Sequence, residues 1–241
     1  MNFDLPELTA ETPEGALCQV KVSMLKPTQN AVGFDEVNDK IARYRAKSEE
    51  DLKDYLLVHQ VPIVIGNGGQ FYLTDHHHLA NALWKTAQSK NEADITTDNV
   101  RVVATVQHNR AGLKGYHFWK TMQASRLVYL FDHRGGGPIR PKELCAHIKD
   151  LTNDPYRGLA WEVRCRYGYG KSPHAFSEFV WANFFRIRII IDNATLKDEI
   201  READILISNL AEEQKKAIID DAMQWARSPE ARGMPGYNGP G

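Results

Sequence analysis

The sequence predicts an α+β protein: a small mixed sheet with helices over roughly the first 110 residues, then a mainly helical C-terminal part. Three observations carry that prediction. Runs of strand length are confined to the first half, at Cys18–Leu25, Val61–Ile65, Gln70–Leu73 and Asn99–Gln107. Two of these flank the turn Gly66-Asn67-Gly68-Gly69 and read as a β-hairpin. After His108 the apolar residues become aromatic-rich and take helical spacing, over Tyr116–Phe131, Pro141–Leu151, Ala175–Ile191 and Leu196–Arg227.

Taken in order, residues 1–17 are rich in Pro, Glu and Thr and predict an irregular lead-in. The first strand stops at Lys26-Pro27, because proline cannot donate to a ladder. Phe34–His59 is helical in pattern, with Val37, Ile41 and Tyr44, then Leu52, Tyr55 and Leu56, on one face. Thr74 and Asp75 supply N-cap chemistry for a helix from about His76 to Lys90. Asp132–Pro138 is a loop by composition; its three glycines lack the Lys-Ser/Thr of a P-loop. Asp154-Pro155 is a helix start, an acid cap followed by proline at the first helical position. The expected division is a lead-in at 1–17, an α/β domain at 18–110, a mainly helical domain at 111–227 and a flexible Gly/Pro-rich tail at 228–241.

Composition narrows the function classes. No stretch approaches the roughly 18 apolar residues that span a bilayer, and the N-terminus lacks a secretory signal, so no membrane partner and a cytoplasmic location are expected. Three widely spaced cysteines, Cys18, Cys145 and Cys165, make neither a disulfide framework nor a CxxC zinc site. The net charge of -1 conceals a division: Arg101–Ile191 carries 15 Lys/Arg against 6 Asp/Glu, and the rest carries 15 against 25. Either the parts neutralise each other internally, or the basic part attracts an anionic partner, nucleotide or nucleic acid.

The most informative segment is Leu73-Thr-Asp-His-His-His-Leu-Ala-Asn81, where a hairpin strand hands over to a helix with one acid and three consecutive histidines. A helix N-terminus presents unpaired N–H groups and a partial positive charge, so it binds phosphate readily. Adjacent helical residues point about 100° apart, so His76, His77 and His78 cannot converge on one zinc ion; Asp132 and His133 are only loose further ligands. Asp75 could cap the helix, orient a histidine or hold a divalent cation. The bland alternative is one packed histidine, one solvated histidine and a simple cap. Elsewhere, Arg157 could close over a phosphate or serve structure. Glu178, Trp181 and Arg186 read as a packed seam with a charge pair, and Arg164, Arg166 and Tyr167 as a possible anion-binding face.

This arrangement resembles the ParB/sulfiredoxin superfamily, in which a hairpin strand runs into a Gly-x-Arg-Arg turn (Gly-Cys-His-Arg in sulfiredoxin) that holds nucleotide phosphates. Asp75–His78 stands at that turn, with His77 and His78 at the Arg-Arg positions. The blocks Leu25–Gly33, Val61–Ile65, Tyr72–His78, Asp154–Arg157 and Glu178–Arg186 look closest to the ParB-like nuclease group, over about residues 18–188. Sulfiredoxin's cysteine position is His76, so that chemistry is not expected, and no basic recognition helix for DNA is evident after residue 110. The resemblance implies a nucleotide such as ATP, ADP or CTP, or another phosphorylated small molecule. Lys26, Thr28, Gln29, His76, His77, His78, Asn81 and Arg157 would bind phosphate, and Asp75, with Mg²⁺, would join His77 and His78 in phosphoryl transfer or hydrolysis. Two alternatives accompany it: a metal-assisted nuclease holding nucleic acid on the basic 101–191 segment, and a binding module without turnover.

Overall fold

The computed structural model describes residues 1–89, 99–191 and 202–240. Its strands are β1 (Leu17–Lys21), β2 (Leu25–Pro27), β3 (Ala31–Val32), β4 (Val61–Gly66), β5 (Gln70–Leu73), β6 (Arg101–Asn109) and β7 (Thr152–Asn153). Its helices are α1 (Phe34–Arg45), α2 (Glu49–Val58), α3 (His77–Ser89), α4 (Gly115–Ala124), α5 (Pro155–Cys165), α6 (Ser177–Arg186) and α7 (Glu212–Arg227). The chain divides into two compact units. One holds residues 1–30, 37–132 and 137–151, the other 31–36, 133–136 and 152–241. The expected boundary near residue 110 therefore lies elsewhere, and three short segments cross the sequence order.

The first unit is built on a five-stranded mixed sheet in the order β1-β6-β4-β5-β2. β4 pairs antiparallel with β5 as the predicted hairpin and parallel with β6, while β2 pairs parallel with β5. β4 is apolar throughout because it is buried on both faces. Val64 packs with Phe118 and Met122 of α4 and with Val128 and Leu130, while Ile63 and Ile65 are also fully buried. Pro27 lies inside β2, opposite Leu73, and not beyond the strand's end. An edge strand tolerates it, since its missing N–H costs no ladder bond on the outer side. Where β4 meets β6 the register slips: Ile63 faces Val106, and Val64 faces His108, so Gln107 is bulged out. The lead-in is tied to the sheet through Gln19, whose amide accepts from the Phe3 N–H at 3.0 Å and donates to the Leu5 carbonyl at 2.9 Å.

Several expected helices are shorter or broken. Phe34–His59 is two helices, the second capped by Ser48, which accepts from the Asp51 N–H. Tyr116–Phe131 stops at Ala124, where Arg126 takes a φ of 54°. Pro141–Leu151 holds only two 3₁₀ turns, Pro141–Glu143 and Ile148–Asp150. Ala175–Ile191 is helical only over Ser177–Arg186. The last residue expected in α3, Lys90, and the start of the expected Leu196–Arg227 helix lie outside the described residues.

In the second unit β3 and β7 form a two-stranded parallel ladder, and α5 and α6 pack with α7 around Leu159, Trp181, Phe185 and Ala222. Asp154 caps α5 as expected, accepting from the N–H groups of Tyr156 at 2.9 Å and Arg157 at 3.2 Å. The tail corrects the expectation of flexibility. The Trp181 indole N–H donates to the Pro235 carbonyl at 2.7 Å, the Gly170 N–H donates to the Gly236 carbonyl at 2.7 Å, and Met234 and Tyr237 pack on the core. Gly33 is required by close approach, since a Cβ there would lie 2.6 Å from the Gly158 nitrogen.

Candidate functional site

The turn between β5 and α3 is positioned by the sheet. Because β2 and β5 run parallel, both reach the same end of the sheet, and Thr28 and Thr74 follow their last residues side by side. Thr28 is fully buried and binds in three directions. Its hydroxyl donates to the Leu73 carbonyl at 2.8 Å, its N–H donates to His77 Nε2 at 3.1 Å, and its carbonyl accepts from the Tyr129 N–H at 2.8 Å. Thr74 does not cap α3. Its hydroxyl donates to the Gln107 side-chain oxygen at 2.9 Å, within reach of the Pro62 carbonyl at 3.2 Å.

His77 is the first residue of α3 and its ring is buried. Nε2 must carry a lone pair to accept from Thr28, so Nδ1 carries the proton. Burial pushes its pKa down to about 3, with the neighbouring His76 adding to the effect and a hydrogen bond to the Leu73 carbonyl opposing it. A neutral imidazole fastened on both sides cannot also grip a phosphate, so the role expected for the His77 ring is corrected: it clamps the end of β2 to the start of α3. His76 is the strained residue, at φ 63°, which corrects the expected helix start by one position. A non-glycine left-handed residue costs on the order of 1 kcal/mol and is found where a turn is over-determined by its surroundings. Asp75 is exposed, and its carboxylate accepts from the His76 N–H at 2.6 Å. The arrangement brings the start of α3, an exposed acid and a partly exposed imidazole together at one turn.

The other expected residues divide between the units. In the first, Lys26 is half-buried, Gln29 and His78 are buried, and Asn81 is fully buried with its amide donating to the Ile148 carbonyl at 2.7 Å. Arg157 belongs to the second unit, inside an ionic cluster. Its Nη2 lies 3.4 Å from Glu36 and 3.6 Å from Glu178, and Arg164 lies 3.1 Å from Glu178. The carboxylates outweigh desolvation, which acts against its charge, and hold the Arg157 pKa above its usual value. Arg186 pairs with Asp154 at 2.8 Å, so the predicted seam holds more than one charge pair, with Trp181 wholly buried. Among the described residues no group of three or more His, Cys, Asp or Glu side chains could enclose a metal ion, and no helix is long and apolar enough to cross a membrane. Gln107 was not legible as a site residue, because a β-bulge leaves no signal in an apolar alternation.

Comparison with known proteins adds the family. The family model described as "Putative ParB-like nuclease" matches residues 18–187. A crystal structure of protein Atu1540 from Agrobacterium tumefaciens is 33% identical, with a TM-score of 0.71 over 93% of this chain and 98% of that one. Comparison with curated proteins finds no match. The match spans the sheet, the Asp75–His78 turn and the ionic cluster of the second unit, and the chain therefore belongs to the ParB-like nuclease family.

Proposed function

We propose that the chain binds a nucleotide or other phosphorylated small molecule at the Asp75–His78 turn and catalyses phosphoryl transfer or hydrolysis there. The observation that carries this reading is the left-handed His76, which sets the N-terminus of α3 at the ends of two parallel strands. The first N–H groups of α3 would receive the phosphate, aided by the His76 imidazole and by Lys26. His77 stays neutral and holds the geometry through Thr28, so the turn is organised before a ligand arrives. Asp75 would hold Mg²⁺ or accept a proton from the attacking group. A single carboxylate suits Mg²⁺, which keeps several waters and takes its other ligands from phosphates. When bound, the ion would neutralise charge on the phosphates.

Calorimetric titration with ATP, ADP, CTP and inorganic phosphate, with and without Mg²⁺, tests the reading. Binding that falls at least tenfold in His76→Ala and loses its Mg²⁺ dependence in Asp75→Asn supports it. Titration without heat for every ligand overturns it. A metal-assisted nuclease is the second reading, favoured by the family's description and by the excess of Lys/Arg over Arg101–Ile191. It predicts cleavage of an oligonucleotide that falls steeply with added salt.

A further inference from the structure

Two turns along α3 from His77, about 10 Å at 1.5 Å per residue, Trp84 forms one wall of a cavity of about 150 Å³. Val22 and Ser23, just before β2, and the 3₁₀ segment His147, Ile148 and Lys149 complete the lining. The walls are pinned from a distance. Asn81, one turn before Trp84, donates to the Ile148 carbonyl, while Asn30 donates to the Glu143 carbonyl at 3.0 Å and accepts from the Cys145 N–H at 2.7 Å. The segment carrying His147 and Lys149 is thus fastened to other elements just before His147 and at Ile148 between the two, which fixes this wall of the cavity. Cys145 adds a contact from its thiol to the Asp150 carbonyl at 3.2 Å.

Size and lining define the occupant. A cavity of this volume holds one six-membered ring, well short of the roughly 300 Å³ at which sites for drug-sized ligands begin. Val22, Ile148 and the indole of Trp84 are apolar or aromatic. The polar part is Ser23, His147 and Lys149, with no carboxylate in the lining. We infer that this cavity is a binding site for a single planar ring carrying one acidic substituent, a carboxylate or a phosphate, with the ring against Trp84 and the acid at Lys149. Aromatic surface supplies most of the attraction, and the ammonium selects the anion. The inference is independent of the reading at the Asp75–His78 turn, since neither Asp75 nor His76 lines the cavity.

The test is nuclear magnetic resonance on the full-length protein, with the Trp84 indole N–H assigned by its disappearance in Trp84→Phe. Orotate, 4-hydroxybenzoate, phenyl phosphate and the neutral benzyl alcohol are titrated in turn. The expected result is a saturable shift of the Trp84 resonance with the acids. Lys149→Met weakens their binding about fivefold, the upper end for an exposed ion pair, and leaves benzyl alcohol unchanged. Ser23→Phe, which fills the cavity without removing core, abolishes all of the shifts, and His76→Ala alters none. Stronger binding of phenyl phosphate points to a phosphorylated ring, and stronger binding of the carboxylates to a small aromatic carboxylic acid. A Trp84 resonance that no acid moves, or acid binding that survives Lys149→Met unchanged, overturns the inference.

Discussion

Replacing His77 by glutamine isolates the clamp that holds the candidate site. The amide oxygen of glutamine can still accept from the Thr28 N–H, but the side chain no longer titrates. In the native chain the imidazole has its pKa lowered from 6.5 to about 3 by burial. The unfolded chain therefore binds a proton below about pH 6.5 that the folded chain refuses until about pH 3. Stability from this residue is complete above pH 6.5 and is lost as the pH falls. At 1.36 kcal/mol per pH unit, the loss between pH 7 and pH 5 is about 2 kcal/mol. For a chain of this size that lowers the melting temperature by about 4–8 °C. The nine histidines all contribute to the raw pH dependence, so the informative quantity is the native protein's loss minus that of His77→Gln. Urea unfolding at pH 7 and pH 5 measures it. The variant should start less stable at pH 7 and lose about 2 kcal/mol less on acidification. Equal losses in both proteins would refute the argument that His77 is buried neutral.

Three further outcomes are expected. His76→Gly relieves the left-handed strain and raises stability by up to about 1 kcal/mol in urea unfolding, while weakening phosphate binding by calorimetry, a separation of stability from function. Arg157→Met leaves Glu36 and Glu178 without their shared cation and costs about 3 kcal/mol or more, and Glu36→Gln in the same chain recovers part of it. Gly33→Ala drives a Cβ into the Gly158 backbone, which cannot give way as a side chain could, and lowers the melting temperature by 5 °C or more, read by circular dichroism.

Local chemistry made much of the first unit legible. The Val61–Leu73 hairpin, the strand around Arg101–Gln107 and the helix after the histidines follow from alternation, a glycine turn and apolar spacing. The Asp154-Pro155 start was equally plain, because its cap is satisfied within three residues. What escaped depends on partners far away in the chain. Pro141–Leu151 has a helical apolar pattern, yet Asn30 and Asn81 hold it in 3₁₀ turns from 115 and 67 residues away. The tail has the composition of disorder, yet Trp181 and Gly170 give its carbonyls donors. At the site, the position of the turn was readable but the division of labour among the histidines was not. One left-handed residue at His76 rotates the set, and only tertiary structure reveals that His77 faces Thr28.

The slip at Gln107 has a consequence for how this family can vary in length. Deleting a residue from a strand ordinarily reverses every side chain beyond it, but deleting Gln107 would restore an uninterrupted ladder between β4 and β6. The sheet itself would tolerate that deletion; the Thr74 hydroxyl, however, would lose its Gln107 acceptor just before Asp75 and keep only the longer contact to the Pro62 carbonyl. The length of β6 is thus set by the turn it supports rather than by its own pairing. Alignments of relatives should show insertions and deletions gathering in loops and avoiding this one strand interior, where a missing residue leaves folding intact and removes one of the bonds that hold the turn.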